Sequence, residues 1–386
     1  ITRAQALGAL MREYEKSIAI SGTHGKTTTT SMISLILKDS DREPTILVGG
    51  NLDEIGGNCY VGGREYFVTE ACEYRDSFLE LQPNIEIILN IDSDHLDYFE
   101  NVEHIARSFE KFSRLVPENG VVIAYDANPF VRSIIEGLPN AITFGLSGDN
   151  DYYASNISFD AEGMPGFDVN HGGEKLGSIN LSVPGEHNIL NALAAFACAH
   201  IMGVDVQDIV NTLNNYHGIH RRFDILGRTS TNIKIIDDYA HHPTEIKATL
   251  SAVKNMKHEK LWCLFQPHTY TRTMALMDDF ATAFDNADAI VLAEIYAARE
   301  KNIYKISSRT LAQKILEHTP DKAIYYIEDF QEMANFVYKN SGDGDLVLTM
   351  GAGDIYKVGE MILDMDVSRI EAVRKTRVRE IKKIED

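Results

Sequence analysis

The densest group of chemically useful side chains in the 386-residue sequence is SGTHGKTTTT, Ser21 to Thr30. Gly22, Thr23, His24 and Gly25 form a glycine-bounded turn, and Lys26, Thr27 and Thr28 follow where a helix should begin. Backbone N–H groups at such a turn, aided by the helix dipole, make an anion nest. Lys26 can reach outer phosphates and the Thr27 hydroxyl can ligate a hard cation, so the segment reads as a phosphate cradle. Its spacing is not that of the common phosphate loop, because two residues separate Gly22 from Gly25 where G-x-x-x-x-G-K-[ST] needs four. A plain glycine turn is the alternative, and the four-threonine run weighs against it because β-branched residues are mediocre helix formers.

Further acids and imidazoles follow. Glu70, in VTEACEYRDSF, ends an apolar run and offers an oxygen ligand for a magnesium ion, while Asp92, Asp94, His95 and Asp97 crowd into DSDHLD beyond the next run. Turn formation and capping are the bland readings of these residues. His187, Asn188 and Asn191 open the apolar stretch HNILNALAAF and present amide and imidazole edges that either cap a helix or read a base. Arg221 and Arg222 in HRRFD suit a transferring phosphoryl group. Asp237 and Asp238 in IIDDYAHHPTEI suit ribose hydroxyls, and His242, His268 and Arg272 suit a carboxylate. A zinc site built from these histidines is the rival, but no H-E-x-x-H spacing supports it.

These residues must be positioned by alternating strands and helices. From Ser17 the chain reads strand, turn, helix, with Met32, Ile33, Leu35 and Ile36 at helical spacing. Apolar runs YFVTE, IEIILNI and GVVIAY then alternate with a helical pattern, which predicts a mostly parallel sheet covered by helices. Between about 145 and 185, turns near Glu162–Gly163 and Gly172–Gly173 predict a small antiparallel addition. Five more runs, IKIIDDY, LWCLFQP, AIVLAEIY, KAIYYIED and DLVLTMGAG, predict a doubly wound, Rossmann-like domain with a last helix near Asp354. The expected division is residues 1–222 and 223–386. The tail, VSRIEAVRKTRVREIKKIED, reads as a solvated helix face.

Composition sets limits on function. With 44% hydrophobic and 24% charged residues the chain has the balance of a soluble globular protein, and no run approaches a membrane span. The expected compartment is the cytoplasm. A net charge of −20 argues against nucleic acid and anionic membranes, so an anionic ligand needs a local cluster of donors. Cys59, Cys72, Cys198 and Cys263 lie far apart and form no C-x-x-C pair, so neither a zinc knuckle nor a disulfide framework is indicated.

Taken in order, GTHGKTTTT, TEACEYRDSFL, NIDSDHLDYF, PGEHNILNALAA, RRFD, IDDYAHHPTEI and FQPHTYTRT resemble the Mur ligases from about Ser17 to Asp354. The resemblance implies an α/β architecture with a central P-loop-type ATPase domain and a C-terminal Rossmann-like domain that close over ATP and an acceptor amino acid. It also implies the cofactors ATP and Mg²⁺ and an amide ligation through an acyl phosphate in peptidoglycan precursor synthesis. The motifs sit nearest the members that join L-alanine to UDP-N-acetylmuramate. Tripeptide-adding recycling ligases and a metal-dependent hydrolase are the alternatives.

By this resemblance the loop from Gly22 to Thr28 serves the phosphates, Lys26, His95 and Arg222 are catalytic, and Thr27, Glu70 and His95 hold the metal. His187, Asn188 and Asn191 look like adenine-site residues, Asp238 like the ribose carboxylate, and Tyr239, His242, His268 and Arg272 lie near the amino acid. Two departures from the family stand out. Family members begin with a domain that binds the UDP sugar, whereas this chain starts at Ile1 with what resembles the connection after it, so a truncated form is expected. Several members also carry a carbamylated lysine, for which Lys111 would be a guess.

Overall fold

A computed structural model describes residues 1–366, and the charged tail read above lies outside them. The chain divides into two compact units, Ile1–His220 and Arg221–Asp386. The division falls two residues earlier than the sequence reading, because Arg221 is bound into the second unit: its Nε donates to Asp237 Oδ2 at 3.1 Å and its carbonyl accepts from Tyr239 N at 2.7 Å.

In chain order the first unit contains α1 (Arg3–Met11), β1 (Lys16–Ser21), α2 (Lys26–Asp39), β2 (Thr45–Leu52), β3 (Gly57–Tyr60), β4 (Tyr66–Glu70), β5 (Ile85–Ile88) and α3 (Val102–Ser113). There follow β6 (Val121–Tyr125), α4 (Pro129–Ile135), β7 (Ala141–Gly145), β8 (Tyr152–Phe159), β9 (Pro165–His171), β10 (Glu174–Asn180), α5 (Glu186–Ile201) and α6 (Val206–Asn214). The strands form one ten-stranded sheet in the order β10-β9-β8-β7-β6-β5-β1-β4-β2-β3. Its centre is parallel, and β8, β9 and β10 are antiparallel. The antiparallel addition exists, but it is not a separate layer: β8 pairs in parallel with β7 and so extends the main sheet.

Side-chain alternation along the strands serves both faces of the sheet. Ile18 and Ile20 of β1 join a core with α2, α5 and α6, whereas Ala19 joins one with Phe109 and Phe112 of α3. Helix α5 is buried almost throughout from Ala192 to Ala199, as its apolar composition requires. Strand β1 pairs with β4 on one side and β5 on the other. The chain order therefore reverses around β1, and the crevice at the carboxyl ends of these three strands is where open α/β sheets bind ligands.

The second unit contains β11 (Asp224–Arg228), β12 (Lys234–Asp238), α7 (Pro243–Lys254), β13 (Leu261–Phe265), α8 (Tyr270–Ala275), α9 (Met277–Ala281), β14 (Ala289–Leu292), α10 (Ser308–His318), β15 (Ala323–Tyr326), α11 (Phe330–Asn340) and β16 (Leu346–Met350). Its sheet order is β11-β12-β16-β13-β14-β15. The five expected strands are parallel, and β11 adds an antiparallel edge that the sequence reading did not contain. Strand β16 returns between β12 and β13, and α11 shares one core with the helix that starts at 356: Met333, Ala334 and Val337 pack with Ile355, Val358 and Ile362. No described helix is long and apolar enough to cross a membrane.

Candidate active site

Three loops leave the carboxyl ends of β1, β4 and β5 side by side. The first holds Gly22 to Gly25. Gly22 has φ +137° and Gly25 φ +86°, and a Cβ on Gly25 would lie 2.6 Å from Asn191 Oδ1. Only glycine combines that backbone with that approach. Gly25 caps α2 without a side-chain hydrogen bond, and no acid lies in the first turn. The amino end of a 14-residue helix thus carries neither a side-chain cap nor a first-turn acid, an arrangement that suits an anion.

The third loop clamps the first. Asn90 accepts from His24 N at 2.8 Å through Oδ1 and donates to His24 O at 3.1 Å through Nδ2, and its carbonyl accepts from Thr23 N at 3.0 Å. Thr23 Oγ1 accepts from Asp92 N at 2.9 Å, and His24 Nε2 lies 3.2 Å from Asp92 Oδ2. Asn90 escaped the sequence reading, because an asparagine beyond a strand looks like an ordinary turn former.

Lys26 folds back over the loop. Its ammonium donates to the carbonyls of Gly22 and Thr23 and to Glu73, 3.0 Å from Oε2. Burial pulls its pKa down most strongly, but the charge and hydrogen bond of Glu73, with the charges of Cys72 and Glu70, together outweigh this and leave it above the ordinary value. Glu73 is 2% exposed and also lies 3.9 Å from His95 Nε2. The carboxylate brought to Lys26 and His95 is therefore Glu73 and not Glu70. Glu70 instead accepts from Gly49 N of β2 at 2.6 Å. The strand-end argument favoured Glu70, but the chain turns after β4 and presents the residue three positions on.

Other expected residues take up varied places. Thr27 is buried at the loop and Thr28 half-buried, while Thr29 donates to Asn191 Oδ1 at 3.2 Å and Thr30 is wholly buried. The threonine run therefore passes from loop to core within one turn. Asn188 and Asn191 are nearly buried: Asn191 donates to Asn188 Oδ1 at 3.0 Å, and Asn188 to Pro184 O at 2.7 Å. Asn191 buttresses Gly25, and only His187 of this trio is exposed. Asp94 accepts from His95 N and Asp97 from Tyr74 OH, so the acids of DSDHLD are dispersed among separate partners. Lys111 is exposed on α3.

Beneath the loop, Glu86 of β5 is fully buried. Its Oε1 accepts from Ser21 Oγ at 3.1 Å, its Oε2 makes no hydrogen bond among the described residues, and burial pushes its pKa up to about 8. At neutral pH it is a neutral acid.

In the second unit the relevant residues again follow strand ends. Arg221 is locked: beyond Asp237 it donates to Gly351 O at 2.7 Å, and Asp237 is itself held by Thr349 Oγ1 at 2.7 Å. Arg222 lies over the Tyr239 ring, 4.8 Å from its centroid, and makes no hydrogen bond or ion pair among the described residues. The arginine available to a ligand is thus Arg222. Asp238 accepts from Phe223 N at 2.8 Å and Ala240 N at 2.6 Å, bracketing the start of the unit. Burial raises its pKa to about 7 against the pull of Arg222.

His242 is 3% exposed and caps α7, its Nδ1 accepting from Thr244 N at 3.3 Å. The imidazole brought toward His268 is that of His241, with centroids 5.9 Å apart. His268 stacks on Tyr296 at 5.4 Å and 12°, and Arg272 donates to His268 O at 2.7 Å. His268 and Arg272 therefore stand together as expected, and Tyr296 joins them from the segment after β14.

Comparison with known proteins agrees with this arrangement. Residues 20–199 match the Mur ligase middle domain and residues 221–353 the Mur ligase glutamate ligase domain. The chain is 50% identical over 362 residues to a UDP-N-acetylmuramate–L-alanine ligase of Alkaliphilus metalliredigens, covering 94% of this chain and 78% of the relative. The corresponding ligase of Acetivibrio thermocellus is 50% identical over 365 residues, covering 94% and 77%. Among solved structures, the UDP-N-acetylmuramate–alanine ligase of Thermotoga maritima is similar with a TM-score of 0.78 at 30% identity, covering 94% of this chain and 77% of that one. A murein peptide ligase of Psychrobacter arcticus gives 0.70 at 26%, covering 94% and 80%. With the phosphate loop at a strand-order reversal, both domain models matched in sequence and half of the 362 aligned positions identical to such a relative, the chain belongs to the Mur ligase family.

Proposed function

We infer that this chain carries out the ATP-dependent joining of L-alanine to UDP-N-acetylmuramate. The observation that carries the reading is the 50% identity to an enzyme of that name across 94% of the chain, in a fold whose phosphate loop is intact. Lys26 and the N–H groups at the start of α2 bind the ATP phosphates. Arg222, stacked on Tyr239 and making no hydrogen bond among the described residues, donates to the transferring phosphoryl oxygens.

The donor set suits Mg²⁺. Such an ion takes oxygen ligands, usually one or two carboxylates together with phosphate and water. Thr27, Glu73 and Glu70 supply oxygens, and His95 stands beside Glu73. When bound, the ion offsets charge on the phosphoryl oxygens.

The chemistry needs an activated carboxyl, since a carboxylate is a poor electrophile. The sugar's carboxylate oxygen attacks the γ-phosphorus, the bond to the β-phosphate oxygen breaks, and ADP leaves an acyl phosphate. The uncharged amine of alanine attacks that carbonyl, phosphate departs with the bonding pair, and the amine loses a proton. Arg272 and His268 hold the acceptor carboxylate. His187 at the start of α5 faces solvent and serves the adenine, and Asp238 the ribose.

Calorimetric titration of ATP into the wild type and Lys26→Ala tests the nucleotide half, with loss of binding expected in the variant. ADP release with UDP-N-acetylmuramate plus L-alanine, a tripeptide or neither tests the acceptor. ATP binding that survives Lys26→Ala would overturn the reading, and stimulation by tripeptide in place of alanine would reassign it to a recycling ligase.

A further inference from the structure

The loops that carry Glu73 and His95 are joined by a reciprocal pair of hydrogen bonds. Tyr74, next to Glu73, donates to Asp97 Oδ2 at 2.7 Å, two residues beyond His95. In the opposite sense Tyr98 donates to Asp76 Oδ2 at 2.6 Å. Each loop thus lends one phenol and one carboxylate to the other. The Tyr74 ring also lies on the His95 imidazole with centroids 4.7 Å apart, and meets the Tyr98 ring edge-on at 6.3 Å.

The backbone around these links is unusual. Arg75 and Asp76 both have φ +55° and His95 has φ +54°, in a region that non-glycine residues occupy at a cost. Three such residues in two facing loops require outside support. Asp76 receives it from Tyr98 and from the Ser108 hydroxyl on α3, and His95 from Asp94 Oδ1, which accepts its N–H at 2.7 Å. The carbonyl of His95 accepts from Tyr98 N at 2.9 Å, which ties the backbones of these two residues together.

Stability of the fold does not explain the two phenol oxygens. The loop after β4 is anchored by Phe78, 1% exposed and packed on Phe109 and Phe112 at 5.2 and 4.5 Å. Burial of that ring contributes about 2 kcal/mol or more, whereas an exposed hydrogen bond contributes about 1 kcal/mol or less. What the phenols alone determine is the separation of two loops whose neighbouring side chains are Glu73 and His95.

We propose that Tyr74 and Tyr98, with their acceptors Asp97 and Asp76, are positioning residues that fix Glu73 against His95 for the metal–nucleotide complex. The inference rests on the ligase reading above. Partners that orient metal-site side chains act on metal affinity without touching the ion.

The test uses a fluorescent ATP analogue titrated into the full chain with Mg²⁺ varied, and again in EDTA. Tyr74→Phe/Tyr98→Phe removes only the two oxygens. The Mg²⁺ concentration that half-saturates analogue binding should rise roughly tenfold or more. Affinity for the metal-free analogue, set by Lys26 and the loop N–H groups, should stay within about twofold, because the variant leaves the cradle intact. The single variants should show smaller rises. An unchanged Mg²⁺ requirement, or an equal loss with and without Mg²⁺, overturns the proposal. Lys26→Ala separates the two levels. If it leaves analogue binding intact the ligase reading fails, whereas if it abolishes binding while the phenylalanine variants match the wild type, only the positioning role fails.

Discussion

Replacing Gly25 with alanine forces a side chain into a left-handed position at φ +86°, 2.6 Å from Asn191 Oδ1 and 3.2 Å from Leu89 Cδ1. Strain of about 1–3 kcal/mol is expected from the backbone alone, measurable as a lower melting temperature together with weaker ATP binding. The two arginines of HRRFD should separate cleanly. Arg221→Ala leaves the buried Asp237 without its ion pair and should cost roughly 3 kcal/mol in denaturant unfolding. Arg222→Ala should leave stability unchanged while lowering ADP release about a hundredfold or more. An equal effect of both on stability would contradict these assignments. The distinction was invisible in the sequence, where two adjacent arginines are equivalent; it arises from the positive φ of Arg221, which turns one side chain inward. The phosphate loop was legible because glycines, lysine and hydroxyls act through local backbone geometry. The approach of Glu73 to Lys26 and His95 was not, because it depends on the path of the chain after β4.

Among the elements, β5 carries the clearest pH signature. Glu86 has its pKa raised from 4.5 to about 8 by burial, so the folded state keeps a proton that the unfolded chain has released between those values. Its contribution is fully present below the unfolded pKa and is lost as pH rises through the folded one, with a slope approaching about 1.4 kcal/mol per pH unit. Urea unfolding of the wild type should therefore weaken relative to Glu86→Gln as pH rises from 5 to 8, and parallel pH profiles would refute the buried neutral acid. Strands β1, β4, β5 and β6 and all five parallel strands of the second unit were legible as apolar runs. Strands β2 and β3 were not, since Gly49 and Gly50 interrupt one and Gly57, Asn58 and exposed Cys59 make up most of the other. Strand β3 is the sheet's edge, and an edge strand lacks the uninterrupted apolar character of strands buried on both faces.

At the scale of the molecule, each unit has its own core, and the phosphate loop and the His268–Arg272 pair belong to different units. Defects should be separable accordingly. Arg272→Ala should raise the alanine concentration needed for half-maximal ADP release by roughly tenfold or more, the loss of a charge-assisted contact, without altering ATP affinity by calorimetry. A fall in ATP affinity would remove Arg272 from the acceptor site. The large sheet of the first unit also ends at both edges in strands ill suited to extension. Strand β3 is four residues long and opens on a glycine, and β10 begins with the exposed pair Glu174 and Lys175 and carries a register shift before Gly177. Short, charged and irregular edges discourage recruitment of a strand from another chain. The ten-stranded sheet can therefore be this wide without offering a template for aggregation, and straightening β10 would remove that safeguard.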